Sequence, residues 1–183
     1  MSLRIGGYAA IIGGALTAMS IVLGIGVVID VDPVVPGILL ITGSAALIVA
    51  LAGLSAFQAR VHPVLSWTAA AVTLVGTFMV LVGIVGTQVT GEWLSGAFLA
   101  GLVGVFAGST LFAFATYRTG ALSRGAAVLL GAGSVTTAIA GFGGNGLPPV
   151  ILILAAIGFT LGWFGLGIHA VRIDRPVTDA RPA

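Results

Sequence analysis

Few side chains in this 183-residue chain could do chemistry. Asp30, Asp32 and Glu92 are the only carboxylates ahead of the C-terminal tail, and His62 and His169 are the only imidazoles. Carboxylates so placed could work as an acid/base pair or hold a divalent cation. However, Asp32 sits where a helix needs an N-cap, and the other two read as solvated turn residues. A bis-histidine haem needs two ring nitrogens facing each other across a gap between helices. His62 lies in a turn before Pro63 and His169 ends an apolar segment, so both read as interfacial neighbours of Arg60 and Arg172. The glycine-rich run at 141–146 (GFGGNG) has no Lys or Ser/Thr partner, so it reads as a flexible turn and not as a phosphate loop. With no cysteine, disulfides, thiolate chemistry and cysteine-bound metals are absent. The expectation is a non-enzyme with no catalytic residue, cofactor or metal site.

The elements that would have to position any site are apolar. Of all residues 58% are hydrophobic and 7% charged, against roughly a quarter charged in soluble domains. That excludes a soluble fold and predicts a polytopic, all-α membrane protein. Six apolar segments stand out at about 8–29, 37–58, 66–88, 94–117, 125–142 and 149–170, each near the roughly 20 residues that cross a bilayer. Pro- and Gly-containing turns separate them. The first run is longer than a signal-peptide core and no small-x-small cleavage site follows it, so it reads as a retained helix. Residues 1–171 form a single six-helix domain, and 172–183 a short polar tail.

Charge sets the expected orientation. Arg4, Arg60, Arg118, Arg124, Arg172, Arg175 and Arg181 fall on one side of a six-span topology, while the opposite loops carry Asp30, Asp32 and Glu92. The positive-inside rule then places both termini in the cytoplasm. Trp67, Trp93 and Tyr117 sit near segment ends, where interfacial aromatics belong. All seven basic residues are Arg, read as the coding bias of a GC-rich prokaryote, which makes the plasma membrane the expected location. The net charge of +2 is too small and dispersed for nucleic acid. The expected partners are membrane lipids and, through its small-residue strips, another copy or another membrane protein.

Those strips are the main packing signal. Gly96, Ala100, Gly104 and Gly108 fall at successive i+4 steps, and Gly158, Gly162 and Gly165 recur at helical spacing in the last segment, with His169 beyond them. Weaker strips are Gly43, Ala46, Ala50 and Gly53, then Thr73, Gly76, Gly83 and Thr87, then Gly6, Gly13, Thr17, Ser20 and Gly24. Small residues let helix backbones approach in lipid, either inside one bundle or between subunits. The 96–108 strip predicts that the fourth helix is the central packing element.

No Asp, Glu, Lys or Arg lies within any segment, which weighs against a carboxylate-dependent, ion-coupled transporter. Hydroxyls remain. Ser109 and Thr110 on the fourth helix lie at a depth similar to that of Ser134, Thr136 and Thr137 on the fifth, about 11–18 Å from the arginine end. That placement invites a hydrogen bond between the helices, with back-bonding to their own carbonyls as the alternative. A faint threefold repeat accompanies this. Arg60, Arg118 and Arg172 end the even segments 58 and 54 residues apart. Leu54, Ala56, Phe57, Leu65 and Ser66 match Leu111, Ala113, Phe114, Leu122 and Ser123 at an offset of 57.

Residues 3–14 (LRIGGYAAIIGG) and 117–124 (YRTGALSR) resemble segments of small bacterial integral membrane proteins of unknown function. There the second stretch often reads Arg-x-Gly-x-Leu-Pro-Arg-Trp; here Ser123 replaces the Pro and Gly125 the Trp. The three-hairpin layout is similar to the acid-resistance membrane protein family. These resemblances imply a class and carry no activity. The expectation is therefore a six-helix bundle of three tandem hairpins acting as a structural, assembly or accessory subunit. The rival is a passive channel or transporter for a neutral or apolar small solute.

Overall fold

The computed structural model describes residues 3–24, 34–90, 95–142 and 148–173. They form six helices: α1 Leu3–Gly24, α2 Val34–Gln58, α3 Pro63–Thr90, α4 Ser95–Thr119, α5 Arg124–Phe142 and α6 Pro149–Ile173. Local chemistry fixes the ends. Pro63 and Pro149 open their helices at the position where a missing N–H costs nothing. Gly120 takes a left-handed φ of 62° just past α4, and its N–H donates to the Thr116 carbonyl at 3.1 Å, a glycine C-cap. Ser123 caps α5 by accepting the Ala126 N–H at 3.3 Å.

Helix α1 starts at Leu3, five residues before the expected Tyr8. Gly6 and Gly7 are poor helix formers, yet both are held by packing. A methyl group on Gly6 would lie 3.1 Å from the Gly53 Cα, and one on Gly7 would lie 2.9 Å from the Gly167 carbonyl oxygen. Tertiary contact overrides propensity there. The expected end of the first helix lies outside the described residues.

Among the described residues, four helices are long and apolar enough to cross a membrane: Val35–Gln58, Pro63–Gly86, Gly96–Thr119 and Ile153–Ile173. Val64, Phe78, Ile139 and Leu154 are each at least 60% exposed. An outer surface this greasy suits lipid and not water. The chain is a helical membrane protein.

Successive helices run antiparallel. Gly6 meets Gly53 and Gly13 meets Gly43 across α1–α2; Thr73 meets Gly108 and Gly83 meets Phe98 across α3–α4; Ala126 meets Gly165 and Gly133 meets Gly158 across α5–α6. These three hairpins are the closest pairs. Contacts of α2 with α3, α4 with α5 and α6 with α1 close them into a ring. No described helix occupies the middle, and α4 is the most heavily packed of the six, touching α3, α5 and, across the ring, α2. The antiparallel order brings Arg4, Arg60, Arg118, Arg124 and Arg172 to one end.

The threefold repeat is real in packing, but its register follows the arginines. At offsets of 58 and 54, Leu51, Ser109 and Trp163 correspond, as do Leu54, Phe112 and Leu166, then Gln58, Thr116 and Ala170. All nine are at most 1% exposed. The 57-residue identities put Phe57 opposite Phe114, which is 52% exposed while Phe57 packs against the core. They fit only the odd helices. Gly13, Gly76 and Gly133 are equivalent there, and a methyl on each would lie 2.9 Å from the Gly43 oxygen, 2.8 Å from the Gly101 oxygen and 2.8 Å from the Gly158 carbonyl carbon. Gly43 and Gly101 also correspond in the arginine register, whereas Gly158 lies three residues past their counterpart Ala155, so the same crossing is used twice and a shifted one the third time.

Candidate functional site

The expected strip on α4 does not act as one surface. An α-helix turns about 100° per residue, so three i+4 steps rotate the strip by about 120°. Gly104 and Gly108 face α3, where added methyls would lie 2.8 Å from the Gly76 Cα and 2.9 Å from the Thr73 Cα. A methyl on Gly96 would meet nothing within 4 Å, and Ala100 is exposed. The seam in contact is Gly101, Gly104, Gly108, whose three-then-four spacing keeps to one side. On α6, Gly158, Gly162 and Gly165 all face α5, the last two placing a methyl 2.6 Å from the Leu130 Cβ and 2.7 Å from the Ala126 Cβ.

The expected α4–α5 hydrogen bond is not formed. Thr110 donates to Phe106 O at 2.8 Å, Ser134 to Leu130 O at 2.7 Å and Thr137 to Gly133 O at 2.7 Å, each a carbonyl four residues back on its own helix. That acceptor is always within reach and asks nothing of the neighbouring helix. Two other side chains do link helices. Ser20 donates to the Pro36 carbonyl at 2.7 Å, joining α1 to α2, and Gln58 Nε2 donates to Thr116 Oγ1, joining α2 to α4.

Between the helices lies a partly open cavity of about 350 Å³, lined from all six. Leu40, Ser44, Leu47 and Ile48 come from α2, Phe98, Leu102, Val105 and Phe106 from α4, and Ala156 and Phe159 from α6. The odd helices contribute Thr17 from α1, Thr73, Thr77 and Val80 from α3, and Thr137 from α5. These positions belong to the half of the ring away from the arginines. Ser109 and Trp163 line it at the deepest register level reached on α4 and α6. One level further, Leu54, Phe112 and Leu166 are fully buried and the ring is solid. Phe112 stacks on Trp163 there, with centroids 5.6 Å apart and planes at 15°.

Electrostatically the cavity is neutral, since none of its lining residues is ionisable. Its polar groups are hydroxyls and one indole. Thr73 and Thr77 spend their protons on Ala69 O and Thr73 O, each at 2.9 Å. Thr17 Oγ1, Ser109 Oγ and Trp163 Nε1 are buried with no partner. Such groups are costly to leave unpaired, yet none of the three opens onto the cavity wall. In the solid half, Ser55 Oγ, Ser66 Oγ and Gln58 Oε1 are also buried and unpartnered.

His62 and His169 are both half-buried near the arginine end, on the α2–α3 turn and on the last turn of α6. Among the described residues no three of His, Asp and Glu gather as a metal site. Asp30, Asp32, Glu92, Arg175 and most of the 141–146 run lie outside the described residues. Sequence reasoning missed Trp163 and the linking role of Gln58. The arginine register would have found both, because it aligns Trp163 with Ser109 and Gln58 with Thr116. No protein-family model matches the chain, and neither a curated protein nor a solved structure matches it.

Proposed function

We propose that the protein takes a small neutral, predominantly apolar solute into the centre of its helix ring, as a passive carrier or channel. The observation that carries this is the cavity itself, built by all six helices and lined by no ionisable side chain. A charged solute would lose its hydration there and gain no counter-charge. The arginine end is the cytoplasmic one on this reading, with both termini inside a prokaryotic plasma membrane. The cavity then lies in the half away from the cytoplasm, and passage requires the solid half to part.

The accessory-subunit reading keeps one observation in its favour: Gly96 and Ala100 lie on the outer side of α4, free for another membrane helix. It loses the argument that first motivated it, because the longer glycine seams are occupied within the chain.

A ligand that binds only the folded state raises its stability. Saturating n-nonane is expected to raise the melting temperature of the purified protein. Ser44→Trp, which fills the cavity from α2, is expected to abolish that rise. An unmoved melting temperature in the unsubstituted protein would leave the cavity without a solute.

A further inference from the structure

The geometry points to a side entrance: a straight-chain hydrocarbon dissolved in the bilayer reaches the cavity between α2 and α3, in the half of the ring away from the arginines. This rests on the reading that the cavity takes a small apolar solute, and adds its source and route. Of the six neighbouring helix pairs in the ring, α2 and α3 are the most loosely packed. Their glycines pack elsewhere, Gly43 against Gly13 and Thr17 on α1, and Gly76 against Gly104 and Val105 on α4.

Along this seam the cavity and the outer surface lie one helical step apart. Ser44 and Ile48 line the cavity, while Ile41 and Ala45 beside them on α2 are exposed. Thr77 lines it from α3, while Leu74 and Phe78 on either side are exposed. Toward the arginines the same seam is shut, with Ser55, Ser66, Ala69 and Ala70 at most 2% exposed. The other two seams between hairpins differ at the cavity level. In the arginine register, Ser44 and Ile48 correspond to Leu102 and Phe106 on α4. Both are bulkier, and Phe106 stands edge-on to Phe159 at 6.2 Å and 80°. On α6 the counterparts are the small Ala156 and Thr160, but α1 closes up against them: a methyl on Gly14 would lie 3.5 Å from the Thr160 carbonyl oxygen. Only α2–α3 combines loose packing with little bulk. Ile41, Leu74 and Phe78, which flank the entrance, are at least 39% exposed and lie within helices long and apolar enough to cross a membrane. The medium outside is therefore hydrocarbon, and an alkane loses no hydration on passing from it to an equally apolar wall. A narrow, flexible chain is the shape that slips between two helices.

The test uses the full chain in phosphatidylcholine vesicles. Trp67→Phe and Trp93→Phe leave Trp163, which lines the cavity, as the sole indole. Added 1-bromononane dissolves in the bilayer, and its bromine is expected to quench Trp163 fluorescence saturably. The chain has no cysteine, so Ala45→Cys with Phe78→Cys can be bridged across the seam by a cleavable bifunctional thiol reagent. That bridge is expected to abolish the quenching, and cleaving it to restore the quenching. Bromononane admitted before bridging is expected to stay trapped and keep Trp163 quenched. Val103→Cys with Val135→Cys, the counterparts on α4 and α5, is expected to leave quenching unchanged when bridged. All four positions are exposed, so the substitutions spare the packing. Quenching that persists with the α2–α3 seam bridged, or is lost equally when the α4–α5 seam is bridged, would overturn the side entrance and leave the cavity reading standing. No saturable quenching in the unbridged chain would overturn both.

Discussion

The two halves of the ring are built from one repeated unit, yet one is solid and the other hollow. At the arginine end, the repeat brings Leu54, Phe112 and Leu166 to one level and Gln58, Thr116 and Ala170 to the next, all fully buried. Two levels into the other half, the equivalent triplet is Ser44, Leu102 and Ala156, and all three line the cavity. The same backbone frame therefore closes or opens according to side-chain volume at three equivalent positions. Bulky residues, with Phe112 stacked on Trp163, fill the axis; Ser and Ala leave it empty. In lipid no hydrophobic drive collapses such a space, because hydrocarbon outside is as apolar as the wall inside. The glycine crossings at Gly13, Gly76 and Gly133 hold the ring together while its middle stays open.

Substitutions can break or sharpen that contrast. The largest effect belongs to the crossings shared by both halves. Gly104→Leu would drive a side chain into the Gly76 Cα, which already lies 2.8 Å from an added methyl. Loss of monodisperse protein on size-exclusion chromatography is expected. Gly96→Leu, with nothing within 4 Å, is expected to purify as the unsubstituted protein does. A reversal of this pair would mean that the outer face of α4 carries the packing.

A smaller effect separates the halves themselves. Leu54→Ala cuts a void into the solid half and is expected to cost about 2–5 kcal/mol in denaturant unfolding. Leu102→Ala enlarges a space that already exists and is expected to cost less than about 2 kcal/mol, since fewer contacts are lost. Equal costs would show that the two halves are packed alike. Smallest of all is Gln58→Leu. It removes the link to Thr116 together with the orphaned Oε1, and a change within about 1 kcal/mol is expected.

Much of the architecture was legible in the sequence because it follows from composition. Apolar runs, Pro63, Pro149 and Gly120 mark the helices and turns, and the structure moves their ends by only a few residues apart from the start of α1. The site was not legible, for reasons that particular residues show. The i+4 pattern from Gly96 to Gly108 reads as one strip in a linear sequence, whereas helical twist carries Gly96 to the outside. Ser134 and Thr137 lie at a suitable depth for α4, yet their own carbonyls are nearer. A cavity between helices has no residue signature of its own. It arises from what three helices lack at one level, and only the arginine register aligns those levels before a structure exists.

The central claim, a mainly apolar cavity in one half of the ring and none in the other, can be measured directly. Apolar cavities of this kind take up xenon. A crystal of the protein pressurised with xenon is predicted to show the gas inside the ring between Ser44, Leu102 and Phe159, with none at the level of Leu54, Phe112 and Leu166. An empty ring, or xenon equally at both levels, would contradict the account.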